Sequence, residues 1–198
     1  MSNIKHEILQ ANSAYAASFG KKRELPSRPV RNFLILTCID ARLDPAKFAG
    51  LAEGDAHVFR NAGGRATDDA IRSLVISHKM LGTREWFVIQ HTDCGMRSFD
   101  DATIARLLDT SLGMATCVDG VWSNRDNAGG SAEGHAVTWY AGREPRAALL
   151  DDVRRIRNHP LVSPGVVVHG LVFDVATGAL TEVEEATAIG HATVHGKA

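Results

Sequence analysis

The residue types able to do metal chemistry gather in two short stretches, Cys38-Ile39-Asp40-Ala41-Arg42 and His91-Thr92-Asp93-Cys94. Together they offer two thiols, an imidazole, a carboxylate and a guanidinium. Two sulfurs and one nitrogen form a borderline-soft donor set that suits zinc, and three protein donors leave a fourth position for water or a carboxylate. Zinc takes sulfur as thiolate, which the ion's own charge stabilises at neutral pH. His91 and Cys94 are close enough for one turn to aim both at one ion, whereas Cys38 must be brought from elsewhere. One isolated cysteine at a strand end would read as a small buried hydrophobe. Asp40 and Arg42 beside it turn the reading toward a site, because in an extended segment residues 38, 40 and 42 share a face. Arg42 would hold Asp40 ionised and oriented. Asp40 would then accept a hydrogen bond from metal-bound water or hydroxide, or close the site as a fourth ligand. An exposed Asp–Arg pair without a metal would be worth ~0–1 kcal/mol and signify little.

The elements that must position these groups are legible in the hydrophobic pattern. Phe33 to Ile39 is a nearly continuous apolar run, as in a parallel strand buried on both faces. Asp44-Pro45 opens a short helix toward Leu51. A second strand spans Ala56 to Arg60 and is closed by Asn61-Ala62-Gly63-Gly64. Thr67 caps a helix with the inner face Ala70, Ile71, Leu74, Val75, His78 and Leu81, ending at Gly82. A third strand, Glu85 to Gln90, delivers His91. Strand–helix–strand–helix–strand predicts an α/β fold with about four parallel strands, an antiparallel edge strand and flanking helices. Ligands in such sheets gather beyond the carboxyl ends of strands where strand order reverses, so the two motifs can meet.

Elsewhere, residues 4–19 carry Ile4, Ile8, Ala11, Tyr15 and Phe19 at helical spacing, followed by a basic, proline-containing linker to about residue 30. Asp100 to Leu112 reads as a helix, and residues 113–144 as a long glycine-rich loop or insertion holding Cys117, Trp122, Trp139 and Tyr140. We expect it to narrow or cover the site's entrance, since long ordered loops are commonly functional. A last main helix runs from Arg146 to Asn158 behind Pro145, a strand from Val166 to Asp174, and an antiparallel strand from Ala179 to Val183. Residues 31–185 are thus expected as one α/β domain and residues 186–198 as a flexible tail.

The bulk numbers exclude several classes. The 198 residues are 44% apolar and 23% charged with a net charge of -1, which gives no electrostatic case for nucleic acid or an anionic membrane. No apolar run approaches the ~20 residues of a membrane span. The charged start of the chain lacks the apolar core of a signal peptide, which points to the cytoplasm. Three cysteines make no disulfide framework.

Cys38-Ile-Asp-Ala-Arg42, Arg60-Asn-Ala-Gly63 and His91-Thr-Asp-Cys94-Gly95 together resemble the β-class carbonic anhydrase family, densely over residues 33–96 and more loosely around residues 170–178. The resemblance implies Cys38, His91 and Cys94 as ligands of one zinc per subunit, and Asp40 and Arg42 as the dyad against the metal. It also implies a homodimer or homotetramer whose N-terminal helix crosses a partner subunit. The compact pattern is similar to a short microbial branch that includes carbonyl sulfide hydrolases. Its implied chemistry is attack of metal-bound hydroxide on carbon dioxide, giving bicarbonate, or on carbonyl sulfide, giving hydrogen sulfide and carbon dioxide.

Smaller assignments complete the reading. Gly63, Gly64 and Gly95 are candidates for a substrate pocket, because glycine lets backbone approach a ligand. His57 and His78 read as structural or surface rather than proton shuttles, Asp93 as a solvated loop charge and Cys117 as an incidental thiol. A non-catalytic zinc protein would normally close its site with a fourth Cys or His, and none is placed to do so. A thiol oxidoreductase would need a Cys-x-x-Cys pair, which is missing.

Overall fold

A computed structural model describes residues 3–191, as a five-stranded sheet with helices around it. The strands are β1 (Phe33–Cys38), β2 (Ala56–Asn61), β3 (Glu85–His91), β6 (Val167–Phe173) and β7 (Leu180–Glu182). β2, β1, β3 and β6 run parallel, and β7 pairs antiparallel at the edge. This is the α/β arrangement the hydrophobic pattern predicts. The helices are α1 (Asn3–Ala17), α2 (Pro45–Phe48), α3 (Asp68–Lys79), α4 (Asp101–Thr110), α5 (Pro145–Arg157) and α6 (Glu184–Gly190). Among the described residues, no helix is long and apolar enough to cross a membrane.

Two apolar clusters lie on opposite sides of the sheet. The larger joins Leu34, Leu36, Trp86, Val88 and Val168 to α3 through Ile71 and Leu74, and to α5 through Leu149, Val153 and Ile156. The smaller, around Ile35, Ile89, Leu43 and Phe173, is covered by little more than α2 and its flanking loop. α3 starts where Thr67 accepts a hydrogen bond from the Ala70 amide, and α2 where Asp44 accepts from Lys47. Each cap satisfies an amide that the first helical turn leaves without a partner.

Three stretches differ from the expectation. Residues 113–144 are not one loop, since β4 (Ala115–Val118) and β5 (Val121–Asn124) form a hairpin. Its tip, Asp119-Gly120, has φ of 50° and 79°, the left-handed pair a two-residue type I′ turn requires. The supposed tail beyond residue 185 folds into α6 as far as Gly190, with Ala186, Thr187 and Gly190 buried. A Cβ on Gly170 of β6 would lie 2.4 Å from the Ala186 Cβ, and one on Gly190 would collide with the Val168 carbonyl. Small residues that look like weak packers are what this close approach of helix to strand demands. Residues 192–198, the rest of the expected tail, lie outside the described residues. Finally, β1 ends at Cys38 and not at Ile39, whose side chain is exposed.

Candidate metal centre

β1 lies between β2 and β3, so the chain leaves β1 to one side and returns on the other, and strand order reverses at its carboxyl end. Thr37 is paired with Ile89, which puts Cys38 level with Gln90 and one residue short of His91. Adjacent parallel strands therefore deliver both residues to the same edge of the sheet. The turn after β3 adds Cys94. The three donor atoms lie within 4.8 Å of one another, and the two sulfurs are 4.0 Å apart. Tetrahedral zinc with Zn–S of ~2.3 Å and Zn–N of ~2.0 Å sets its donors about 3.5–3.8 Å apart, so modest contraction would fit the ion.

The surroundings favour a cation there. His91 is fully buried, and its Nε2 has no hydrogen-bond partner among the described residues. Such an orphaned polar atom is costly unless something binds it. Its Nδ1 lies 2.9 Å from the Thr92 carbonyl, which accepts an N–H only if Nδ1 carries the proton, leaving the Nε2 lone pair for a metal. In the thiol pair, the hydrogen bond from Cys94 pulls Cys38 down to about 4, and the same bond pushes Cys94 well above its ordinary value. The sulfurs thus share a proton that a bound dication would displace. Cys38, His91 and Cys94 form a cluster that could hold a metal ion.

Asp40 and Arg42 meet, but not by the parity argument. Residues 39–43 turn instead of continuing the strand: the Leu43 amide donates to the Asp40 carbonyl at 3.0 Å, and the Arg42 amide to Asp40 Oδ1 at 2.9 Å. That Asx-type turn folds the guanidinium back onto its neighbour. Nε donates to Oδ1 at 3.0 Å and Nη2 to Oδ2 at 2.8 Å, a two-pronged geometry. The Arg42 side chain holds the Asp40 carboxyl down at about 2. Asp40 Oδ2 stands 3.9 Å from His91 Nε2, beside the donor cluster while gripped by arginine.

Two supports were not evident beforehand. Asp93, expected to be a solvated charge, accepts from Arg42 Nη1 at 2.7 Å through its carboxylate, and its carbonyl accepts from Nη2 at 2.8 Å. Its φ of 52° is the left-handed conformation that aspartate tolerates better than most residues. Arg60 donates from Nε to the Cys38 carbonyl at 2.9 Å and from Nη2 to the Asp40 carbonyl at 2.7 Å, pinning the 38–40 backbone from β2. A hint was available in the position of Arg60 at the end of a strand beside a glycine-rich turn.

The cluster opens on a cavity of about 200 Å³ lined by Ile39, Ala62, Gly63, Gly95 and Met96 as well as Asp40 and the two cysteines. Gly64 is not in that lining. It is pressed onto β1, where a Cβ would lie 2.8 Å from the Cys38 nitrogen, so it acts as a packing glycine. No residue of the 113–144 segment lines the cavity either, contrary to the expected cover. His57 sits at the far end of β2, between Ser77 Oγ and the Ser27 carbonyl.

The carbonic anhydrase family profile matches residues 33–180, most of the chain, including the three donors, Asp40, Arg42, Arg60 and Asp93. The chain belongs to the β-carbonic anhydrase family. A β-carbonic anhydrase 1 from Mycobacterium tuberculosis is 38% identical over 182 residues, 91% of this chain and 98% of that protein. A carbon disulfide hydrolase from Acidianus sp. is 35% identical over 156 residues, 76% of each chain. Among solved structures, a carbonic anhydrase from Streptococcus mutans superposes with a TM-score of 0.77 at 36% identity, covering 92% of this chain and 99% of that one. The sulfur chemistry named among these relatives is hydrolysis of carbon disulfide, where the family resemblance had implied carbonyl sulfide.

Proposed function

We propose that this protein is a zinc enzyme that hydrates carbon dioxide reversibly, CO₂ + H₂O giving HCO₃⁻ + H⁺. The observation that carries the reading is a three-donor cluster, Cys38, His91 and Cys94, opening on a small pocket beside an Asp40 whose two carboxylate oxygens Arg42 grips. When bound, zinc supplies Lewis acidity that lowers the pKa of a water from 15.7 toward ~7, giving a nucleophile at neutral pH. The chain supplies the rest. Asp40, held ionised by Arg42 and with Oδ2 3.9 Å from His91 Nε2, would orient a water held at the cluster and receive its hydrogen bond. Arg42 fixes that carboxylate, and Asp93 and Arg60 fix the turn. The apolar walls of Ile39, Ala62 and Met96 suit a small uncharged linear triatomic.

Hydrolysis of a sulfur analogue is the second reading, favoured by the carbon disulfide hydrolases among the relatives. With carbonyl sulfide the balance is COS + H₂O giving CO₂ + H₂S, with the same residues in the same roles. The ratio of kcat/KM for carbon dioxide to that for carbonyl sulfide separates the two. A purely structural metal site is the weaker alternative, since among the described residues only Asp40 stands beside the cluster to close it.

We further propose a homodimer or homotetramer, in which α1 lies on a partner subunit, working in the cytoplasm. α1 leaves Ile4, Ile8 and Leu9 exposed and none of its described residues is buried, and among the described residues β2 pairs on one side only. The deciding experiment for the activity is Asp40→Ala. Positioned proton-transfer groups contribute ~10²–10⁴-fold, so hydration should fall by at least about 100-fold, while zinc content stays near one ion per chain and the circular dichroism spectrum is unchanged. Full activity in that variant would overturn the reading.

A further inference from the structure

The 113–144 segment lines no part of the pocket, yet it grips both of its walls from outside. One wall is the turn carrying Met96. The Gly142 amide donates to the Met96 carbonyl at 2.8 Å. Trp122 Nε1 donates to the Ser98 carbonyl at 3.0 Å, and its ring meets Phe99 edge-on with centroids 5.8 Å apart. Arg97 donates to Glu144 at 2.6 Å. The other wall, Ala62–Gly63, runs into Arg65, whose Nη1 donates to the Tyr140 carbonyl at 2.7 Å and whose Nε is held by buried Asp152 at 2.8 Å. The guanidinium also lies 5.3 Å from the Tyr140 ring centroid.

The grip is firm because the segment is itself anchored. The Asp101 carboxylate accepts from the amides of Trp139, Tyr140 and Ala141 at 2.8–3.3 Å. The walls also approach closely: a Cβ on Gly63 would lie 3.4 Å from Met96 Cγ and 3.1 Å from Arg65 Cγ. A gap of only ~0.5–1 Å forfeits a quarter to a half of a dispersion contact, so small shifts of the Met96 turn change how well the pocket holds a terminal atom.

We infer that residues 122–144 set the separation of the Ala62–Gly63 and Gly95–Met96 walls, and through it the discrimination between oxygen- and sulfur-terminated linear substrates. Trp122 and Glu144 are positioning residues in this scheme, acting through Met96. The inference rests on the reading that the pocket receives such molecules.

Cyanate and thiocyanate test it without turnover, because both are linear triatomic anions that can ligate through nitrogen and present oxygen or sulfur to the wall. Each is titrated into cobalt-substituted protein, followed by the visible absorption of the cobalt. Size discrimination of one added group reaches ~10–200-fold. Trp122→Ala should shift the thiocyanate-to-cyanate affinity ratio toward thiocyanate by about five-fold or more, with cobalt content unchanged. Trp122→Phe, which keeps a ring and loses the donor, should shift it less and in the same direction, as should Glu144→Gln. Met96→Ala, which removes the wall itself, should match or exceed Trp122→Ala. A ratio unmoved in the Trp122 and Glu144 variants overturns the inference, whether or not Met96→Ala moves it. Should Trp122→Ala fail to fold, Trp122→Phe and Glu144→Gln decide. Wild-type protein that binds both anions but turns over neither carbon dioxide nor carbonyl sulfide would remove the functional reading alone.

Discussion

The two terminal helices are opposites. α1 carries large apolar residues at helical spacing, among them Ile4, Ile8 and Leu9, and leaves them exposed. α6 carries mainly small ones and is embedded, with Ala186 fully buried against the sheet and Val183 before it in the same cluster. Hydrophobic content therefore does not decide which helix packs. The facing surface does: Gly170 and Gly190 make room for α6 to approach β6, while the described residues build no matching surface for α1. Its ties to the body include Tyr15 Oη donating to Glu53 at 2.9 Å, and Lys22 paired with the same carboxylate at 2.7 Å.

The largest expected effect lies on the α6 side. Gly170→Val would add three carbons where even a Cβ falls 2.4 Å from Ala186 and 3.3 Å from Leu149. Overpacking of this kind costs ~1–3 kcal/mol, and we expect the upper part of that range, read as a lower urea midpoint with an unchanged slope. If the midpoint did not move, α6 would be no more than a surface flap, and the contrast between the helices would vanish.

The same contrast explains what was legible in the sequence. Cys38, His91 and Cys94 stand out because thiolate and imidazole have few substitutes as ligands, and the apolar runs before them mark strand ends. The pairing of Asp40 with Arg42 was expected for a wrong reason, an extended backbone, where an Asx-type turn makes the contact. α6 was hidden because Ala186 and Gly190 carry no hydrophobic pattern; their value lies in being small against a partner strand. The hairpin in the insertion was announced by Asp119-Gly120 between Cys117-Val118 and Val121-Trp122, a strong hairpin signal obscured by the surrounding glycines. Arg65 and Asp152, 87 residues apart, form a pair that no local pattern reveals.

On the α1 side the expected effect appears in assembly and not in the fold. Ile8→Asp combined with Leu9→Asp removes apolar surface that the isolated chain leaves exposed. The stability of the individual subunit should hold, while light scattering coupled to gel filtration should show a smaller mass than for the proposed homo-oligomer. A variant of unchanged mass would mean that α1 meets no partner, and its stripe would need another explanation.

The smallest effect concerns the tether itself. The hydrogen bond from Lys22 leads the contributions that hold the Glu53 carboxyl below its ordinary range, with Tyr15 next. A carboxyl depressed in the folded state contributes its stabilisation at pH values above its unfolded pKa and loses it as pH falls through the folded one. The tether is therefore complete at neutral pH and is released only in acid, below the usual glutamate pKa of ~4.3. Exposed pairs of this kind are weak and screened by salt, so Glu53→Gln should leave the thermal midpoint of the protein where it was. Its signature should be local: faster amide exchange in residues 3–19 at pH 7, reproduced in wild-type protein by raising salt and absent from α6 under both conditions. Equal acceleration in both helices would show that Glu53 supports the whole fold, and that α1 and α6 are held by the same kind of force after all.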